Sequence, residues 1–441
     1  MAKMKRTTML LLACFMLFTL FLSACSGKGS SEGGSSSGSD GKPTEITFWY
    51  GVKGKDGEYL DKMVEKFNAG QKEVVVKALG GQDHLKQLTA ISGGNPPDIL
   101  QTQWNFIGPW SEAGAIMSLN EFIQKDKFDM TRLIPAAFER MKVNGKAYGM
   151  PIRLAMANKL FYNKKMFEDA GITAPPETLE DMFEVAKKLT KKDSSGSYTQ
   201  IGFIPDYPWI DSVFWPTIFG GSWDDGNGKL TANQKANVDA IDYQMSYYRE
   251  FGNDGIDKIK SGMGGLLTPQ DPIVTGKLGM IIGWDNWYVT ERSEGKIGVA
   301  PFPYPKDKPE LKNAGMVSPV AMYIPTKAKN KDAAWKFLQF MLSDEAQIEM
   351  TLVNGSIPSV LSVLDNEKIK NDPKLAVNQE FFESAKSENL KGFPNTIYID
   401  AYLQSLTEET EKALKGQQTA QEAMDNVVKK IQPLADKAQK K

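Results

Sequence analysis

Glu45-Ile46-Thr47-Phe48-Trp49-Tyr50, the run Tyr59 to Asn68, Val74-Val75-Val76 and Asp98-Ile99-Leu100 follow one another, and their order decides the fold class. The first segment is β-branched and aromatic, which suits an extended, half-buried backbone. The second carries Leu60, Met63, Val64 and Phe67 at the spacing of one helical face. Val74 to Val76 reads as a second strand, and the turn Gly94-Asn95-Pro96-Pro97 introduces a third at Asp98. Strands alternating with helices imply a mostly parallel sheet, because parallel neighbours need a long crossover and a helix makes one compactly. Further along, Val143-Asn144-Gly145-Lys146 has Asn-Gly at its turn and predicts a hairpin. After the break Ala174-Pro175-Pro176, Thr178 is a helix cap with Asp181 three residues on, and Leu179, Met182, Phe183, Ala186 and Leu189 form the buried stripe. Thr419 and Glu422 make a full capping box near the C-terminus.

Ahead of this body stands a leader. Lys3, Lys5 and Arg6 precede an apolar run from Met9 to Leu22, then Ser23 and Ala24. Charge, short apolar core and small residues are the layout of a secretory signal. The run falls short of the ~20 residues that span a bilayer. Leu22-Ser23-Ala24-Cys25 resembles the bacterial lipobox, which implies cleavage before Cys25 and lipid on its sulfur. Residues 1–24 are thus read as signal peptide and 25–43 as lipidated cysteine plus linker. Residues from Ser26 to Pro43 are mostly Ser and Gly and cannot bury enough apolar surface to fold. As a flexible tether of about 18 residues they reach roughly 20–25 Å. Gly34-Ser35-Ser36-Ser37-Gly38 matches a hydrolase nucleophile motif by letter, but lacks the flanking strand and helix that motif requires.

Composition excludes much chemistry. Cys14 leaves with the leader, so Cys25 is the only mature cysteine and no internal disulfide is possible. The 53 basic and 54 acidic residues nearly balance, and losing three basic residues with the leader brings the net charge to about −4. No basic face suggests nucleic acid. The single histidine, His84, is read as an exposed helical residue rather than part of a metal or triad site. Neither phosphate-binding glycine motif is present. Asp224-Asp225-Gly226-Asn227-Gly228 lacks the glutamate that closes a calcium loop, and so reads as a tight turn.

Several ordered pieces resemble the bacterial extracellular solute-binding proteins of the sugar type, of which maltose-binding protein is a familiar member. They include Ile46-Thr47-Phe48-Trp49, Gly94-Asn95-Pro96-Pro97-Asp98-Ile99, and Asn144-Gly145-Lys146-Ala147-Tyr148-Gly149-Met150-Pro151. Leu160-Phe161-Tyr162-Asn163-Lys164-Lys165-Met166-Phe167, Gly276-Lys277-Leu278-Gly279-Met280 with Trp284, and Asn330-Lys331-Asp332-Ala333-Ala334-Trp335 extend the match over most of the mature chain. The resemblance implies an α/β fold of two lobes, each a mainly parallel sheet flanked by helices, with a hinge and an interlobe cleft. It places the N-terminal lobe at 44–153 and 312–360 and the C-terminal lobe at 154–311 and 361–441. Crossings are expected near Arg153–Asn158, Pro305–Pro319 and Pro358–Leu364. Closure around ligand by hinge motion and presentation to a membrane permease of the ABC class are implied as well.

A sugar offers apolar C–H faces and a rim of hydroxyls, which suit aromatic rings and planar Asp, Asn, Gln or Arg groups respectively. The signal to look for is therefore tryptophan beside Asp or Asn in a loop. Trp284-Asp285-Asn286-Trp287 follows the apolar run ending at Gly283, and by resemblance Trp284 is the sugar-stacking position. Asp285 would reach the rim, while Trp287 reads equally as a second platform or a packed residue. Trp104 and Asn105 follow the third strand at its carboxyl end, where open α/β sheets bind ligands. Tyr50 and Lys53 follow the first strand at the same edge. Trp209, Asp211 and Trp215 lie in a segment that supplies aromatic and acidic contacts in relatives. Arg153, at a crossing, either touches ligand or braces the lobes. Trp335, Trp49, Trp110 and Trp223 read as packing residues. The function expected is a monomeric binding lipoprotein without cofactor or catalysis, held on the outer face of the cytoplasmic membrane of a Gram-positive cell. Its partners would be a carbohydrate and an ABC permease, with no nucleic acid. Two rivals stand beside it, a secreted carbohydrate hydrolase using two carboxylates and the same fold with a non-sugar solute.

Overall fold

The computed structural model describes residues 42–54, 57–207, 213–266, 268–284 and 295–439. The leader, Cys25 and most of the Ser/Gly linker lie outside these residues. The described chain starts into β1 (Thr44–Tyr50), α1 (Glu58–Gly70), β2 (Val74–Leu79), α2 (His84–Ser92), β3 (Ile99–Gln103) and α3 (Ile107–Glu112). Next come α4 (Asn120–Lys125), α5 (Pro135–Glu139), β4 (Lys142–Val143), β5 (Lys146–Ala147), β6 (Met150–Ala157) and β7 (Lys159–Asn163). They are followed by α6 (Lys164–Asp169), α7 (Leu179–Leu189), β8 (Lys191–Lys192), β9 (Tyr198–Gln200), α8 (Phe214–Ile218), α9 (Lys235–Phe251) and α10 (Asn253–Ser261). Strands β10 (Met280–Gly283), β11 (Ile297–Pro301), β12 (Gly315–Tyr323) and β13 (Leu390–Lys391) complete the sheets, and the last helices are Ile399–Leu414 and Ala420–Gln439.

The opening β-α-β-α-β reading holds. β1 lies parallel to β2, Thr44 opposite Val74, and parallel to β3, Phe48 opposite Ile99. Ile46, Phe48 and Tyr50 point inward at every second position, as a strand with one buried face requires. Leu60, Met63, Val64 and Phe67 of α1 are buried with them, and Phe337 packs edge-on against both Phe48 and Phe67. Asp98 pins the register: its carboxylate accepts from Thr47 N at 2.9 Å and from Asn330 N at 2.9 Å. The full order is β13-β12-β3-β1-β2, with β6 pairing β12. Asn144 and Gly145 both have positive φ, 49° and 73°, the backbone that a two-residue primed turn demands. Thr178 caps α7 by accepting from Asp181 N at 3.2 Å. The Thr419–Glu422 box closes reciprocally, at 2.8 and 3.2 Å.

The second sheet departs from the expectation of mainly parallel strands. Its order is β10-β7-β11, and both neighbours of β7 are antiparallel to it. The reason is directional. The chain leaves the inter-sheet region along β7 and comes back toward it along β10, so that Gly283 ends opposite Lys159, the first residue of β7.

Two long antiparallel strands join the sheets. β6 and β12 pair from Ala157–Met316 to Met150–Met322, and only Asn158 separates β6 from β7. Residues 302–314 carry the chain back from β11 to β12. Near the third expected crossing, Val360 still bridges Leu133, whereas Phe381 packs on Phe161 of β7. The stretch 361–441 is not confined to the second body as expected. β13 returns to the first sheet, where Leu390 pairs with Gly315, because β3 stops at the level of Val320 and leaves that side of β12 unpaired.

Candidate functional site

β3 ends at Gln103, which lies opposite Val320 of β12, and Val320 in turn lies opposite Arg153 of β6. The turn Trp104–Phe106 therefore leaves the sheet beside the row that carries Arg153. Three residues further along β6, Met156 N donates to Trp284 O at 3.2 Å. β6 thus ties the Trp104 turn of one sheet to the end of β10 in the other. Trp104, Asn105, Arg153 and Trp284 are brought to the region where the sheets join.

Their exposures differ. Trp284 is half-buried, its ring 6.3 Å from that of Phe161. Asn105 and Phe106 are half-buried too, and Phe106 is sandwiched between His84 at 4.8 Å and Trp110 at 5.2 Å. His84 is exposed on α2, as expected, with the added role of covering Phe106. Trp104 is only 9% exposed, because the Arg140 guanidinium lies 3.2 Å over its ring. Arg153 is half-buried in β6. Opposite Gly283, Lys159 is fully buried, reaching Ser384 Oγ and lying 5.8 Å over the Phe381 ring. Burial lowers its pKa to about 8.

Other candidates fall elsewhere. Tyr50 is turned into the first body, with its hydroxyl donating to Asp61 at 2.5 Å. Burial and the neighbouring carboxylate both push its phenol pKa up. Its ring and hydroxyl are already used, so the expectation of a ligand contact at Tyr50 is corrected. Lys53 is exposed at the same edge, its methylenes against Gly81. Trp215 is also corrected. It has no exposure, its indole N–H donates to Pro205 O at 2.9 Å, and Phe203, Phe214, Tyr243 and Phe302 enclose it. A hydrophobic core has claimed both its face and its polar edge. Trp209, Asp211, Asp285 and Trp287 lie outside the described residues. Trp110, Trp223 and Trp335 are buried, as the sequence indicated.

The sequence reading overlooked Phe106, Arg140 and Asn395. Phe106 had a signal, as the third member of an aromatic–amide–aromatic turn. Arg140 had none, because its role depends on Phe393, which is 253 residues away.

With this geometry in view, similarity to known proteins is informative. A family model described as bacterial extracellular solute-binding protein matches residues 51–348, more than half of the chain. The maltotriose-binding protein of Pyrococcus abyssi is 24% identical over 75% of this chain and 69% of its own. The sn-glycerol-3-phosphate-binding periplasmic protein UgpB of Agrobacterium fabrum is 24% identical over 88% of this chain and 91% of its own. Among solved structures, CpMnBP1 with mannobiose bound superposes with a TM-score of 0.71 at 24% identity, covering 88% of this chain and all of that one. A shared two-lobed fold over nearly the whole body and a family match spanning both sheets lead to one assignment: the chain belongs to the bacterial extracellular solute-binding proteins.

Proposed function

We propose that this protein captures a carbohydrate between its two lobes and delivers it to an ABC importer, with no catalysis of its own. The observation that carries the reading is the pairing of an accessible indole, Trp284, with the Trp104-Asn105-Phe106 turn through a single strand, β6. Trp284 brings a partly exposed indole and Asn105 a partly exposed planar amide, the two kinds of surface a sugar ring needs. Arg153 stands between them on the same strand and adds a charged donor. The maltotriose and mannobiose of the similar proteins favour a sugar of one to a few rings. The lobes are placed at 44–153 with 312–360 and at 154–311 with 361–441, a division supported by the presence of two separate sheets. Lipid on Cys25 and the Ser/Gly tether would hold the protein beside its permease, an arrangement suited to a Gram-positive cell that has no outer membrane to retain it.

The test is a titration of mono- and oligosaccharides, with sn-glycerol 3-phosphate included, followed by tryptophan fluorescence while the same mixtures are assayed for product. Saturable quenching by a sugar without turnover is expected; micromolar affinity corresponds to about −8 kcal/mol. Product formation would convert the reading to a hydrolase. A response to the glycerol phosphate alone would move the ligand to the polyol phosphates.

A further inference from the structure

Arg140, directly after α5, is 3% exposed, and its guanidinium carbon lies 3.2 Å from the centroid of the Trp104 ring. One terminal nitrogen donates to Phe393 O, and Asn395 Nδ2 donates back to Arg140 O. Among the described residues, Arg140 Nε and Nη2 have no hydrogen-bond partner and no carboxylate forms an ion pair with the group. The helix that leads into it, α5, packs on β6 and β12 of the first sheet. Phe393 packs instead on Trp223 at 5.4 Å and Tyr402 at 5.0 Å, and Tyr402 Oη donates to Trp223 O at 2.8 Å. Lys391 Nζ, two residues earlier, donates to Gly220 O and Gly221 O at 3.0 Å each. The segment thus packs on the second body through Phe393 and Lys391, while β13 just before it is held to β12 of the first sheet. The segment's approach to α3 is close: a Cβ on Gly108 of α3 would come within 2.5 Å of Thr396 O. Beside it lies a cavity of about 640 Å³ that Asn144, Asp224, Asn227 and Asn395 help to line.

We propose that Arg140 is a positioning residue that couples the Trp104 turn to the Phe393–Thr396 segment and sets the balance between this clasped arrangement and a parted one. The contact is held by stacking and two hydrogen bonds and opposed by the burial of an unpaired charge, which water would hydrate if the segment withdrew. A contact so balanced can open without loss of either body. The charge is thus a built-in bias toward release. The proposal rests on the two-lobed reading but not on the identity of the ligand.

The experiment uses the leaderless chain with Cys25→Ser, spin-labelled at Lys146→Cys on the hairpin side and Lys229→Cys on the Asp224 side. Pulsed dipolar distances are measured without ligand. Arg140→Met keeps an apolar stem and removes the charge, and should raise the ratio of short to long distances at least fivefold. Arg140→Lys keeps a charge but loses the planar stack and should lower that ratio. A distribution unchanged by Met, or moved to longer distances, overturns the proposal. If the Lys variant were too unstable to label, the Met variant alone would decide. A merely structural arginine would shift the melting temperature and leave the distances where they were.

Discussion

Trp284 and Trp215 make an instructive pair of regions. Each is a tryptophan near an aspartate in sequence and each was a candidate platform, yet one ends a strand where the sheets join and the other is sealed in a core. The difference does not come from local composition. Trp284 follows β10 at the end nearest β6 and is half-buried. Trp215 sits in a five-residue helix with four aromatic rings around it, drawn from positions 203, 214, 243 and 302. Burial of a large aromatic is worth several kcal/mol, so once partners surround it on all sides the core wins over a ligand. Polar company in sequence marks a binding tryptophan only when the fold leaves one face open.

The comparison is open to attack by mutation. Trp215→Ala should cost about 3–5 kcal/mol of stability, read from the urea midpoint, by removing a fully buried ring. A loss under 1 kcal/mol would show that the ring is not core. Trp284→Ala should weaken sugar binding at least a hundredfold, about 2.7 kcal/mol, while the urea midpoint moves little. Intact affinity there would remove Trp284 from the site.

Lys159 sharpens the comparison, since it is buried opposite Gly283, the residue before Trp284. Its folded pKa of about 8 lies below the ordinary 10.5, so between those values the unfolded chain binds more protons than the folded one. Stability should therefore rise as pH increases from about 8 to about 10, by at most about 1.4 kcal/mol per pH unit from this group. Lys159→Met should flatten that slope; an unaltered slope would place its cause elsewhere. Smallest is Tyr50→Phe, which removes the hydroxyl bonded to Asp61 and should cost about 1 kcal/mol of stability with ligand affinity unchanged. A drop in affinity would return Tyr50 to the site.

Much of the fold was legible in particular residues. The alternating Ile46, Phe48 and Tyr50, the face of α1 and the Asn144–Gly145 turn carry their geometry locally, because period and backbone preference act over a few residues. The caps at Thr178 and Thr419 are similarly short-range. What escaped was set by distance along the chain. The antiparallel second sheet depends on the end from which β10 enters, and the return of β13 depends on β3 stopping short. Neither leaves a mark in the strands' own sequences.

The candidate site divides along the same line. Sequence order placed Trp104, Asn105 and Trp284 after strand ends, and the structure puts them after β3 and β10, with Trp104 buried under Arg140. Tyr50 follows a strand as well, but Asp61 on α1 captured its hydroxyl, and only the packing of α1 on β1 shows this.

By itself, then, the sequence determined that the chain is an α/β body, poor in cysteine and histidine and rich in tryptophan beside amides. Those properties follow from composition, period and short motifs. Only the tertiary structure decided which candidate tryptophans are sealed in a core, which strand ties the two sheets, and that Arg140 meets Phe393. Each of these depends on groups far apart in the chain competing for the same buried surface, and that competition is settled only when the whole chain has packed.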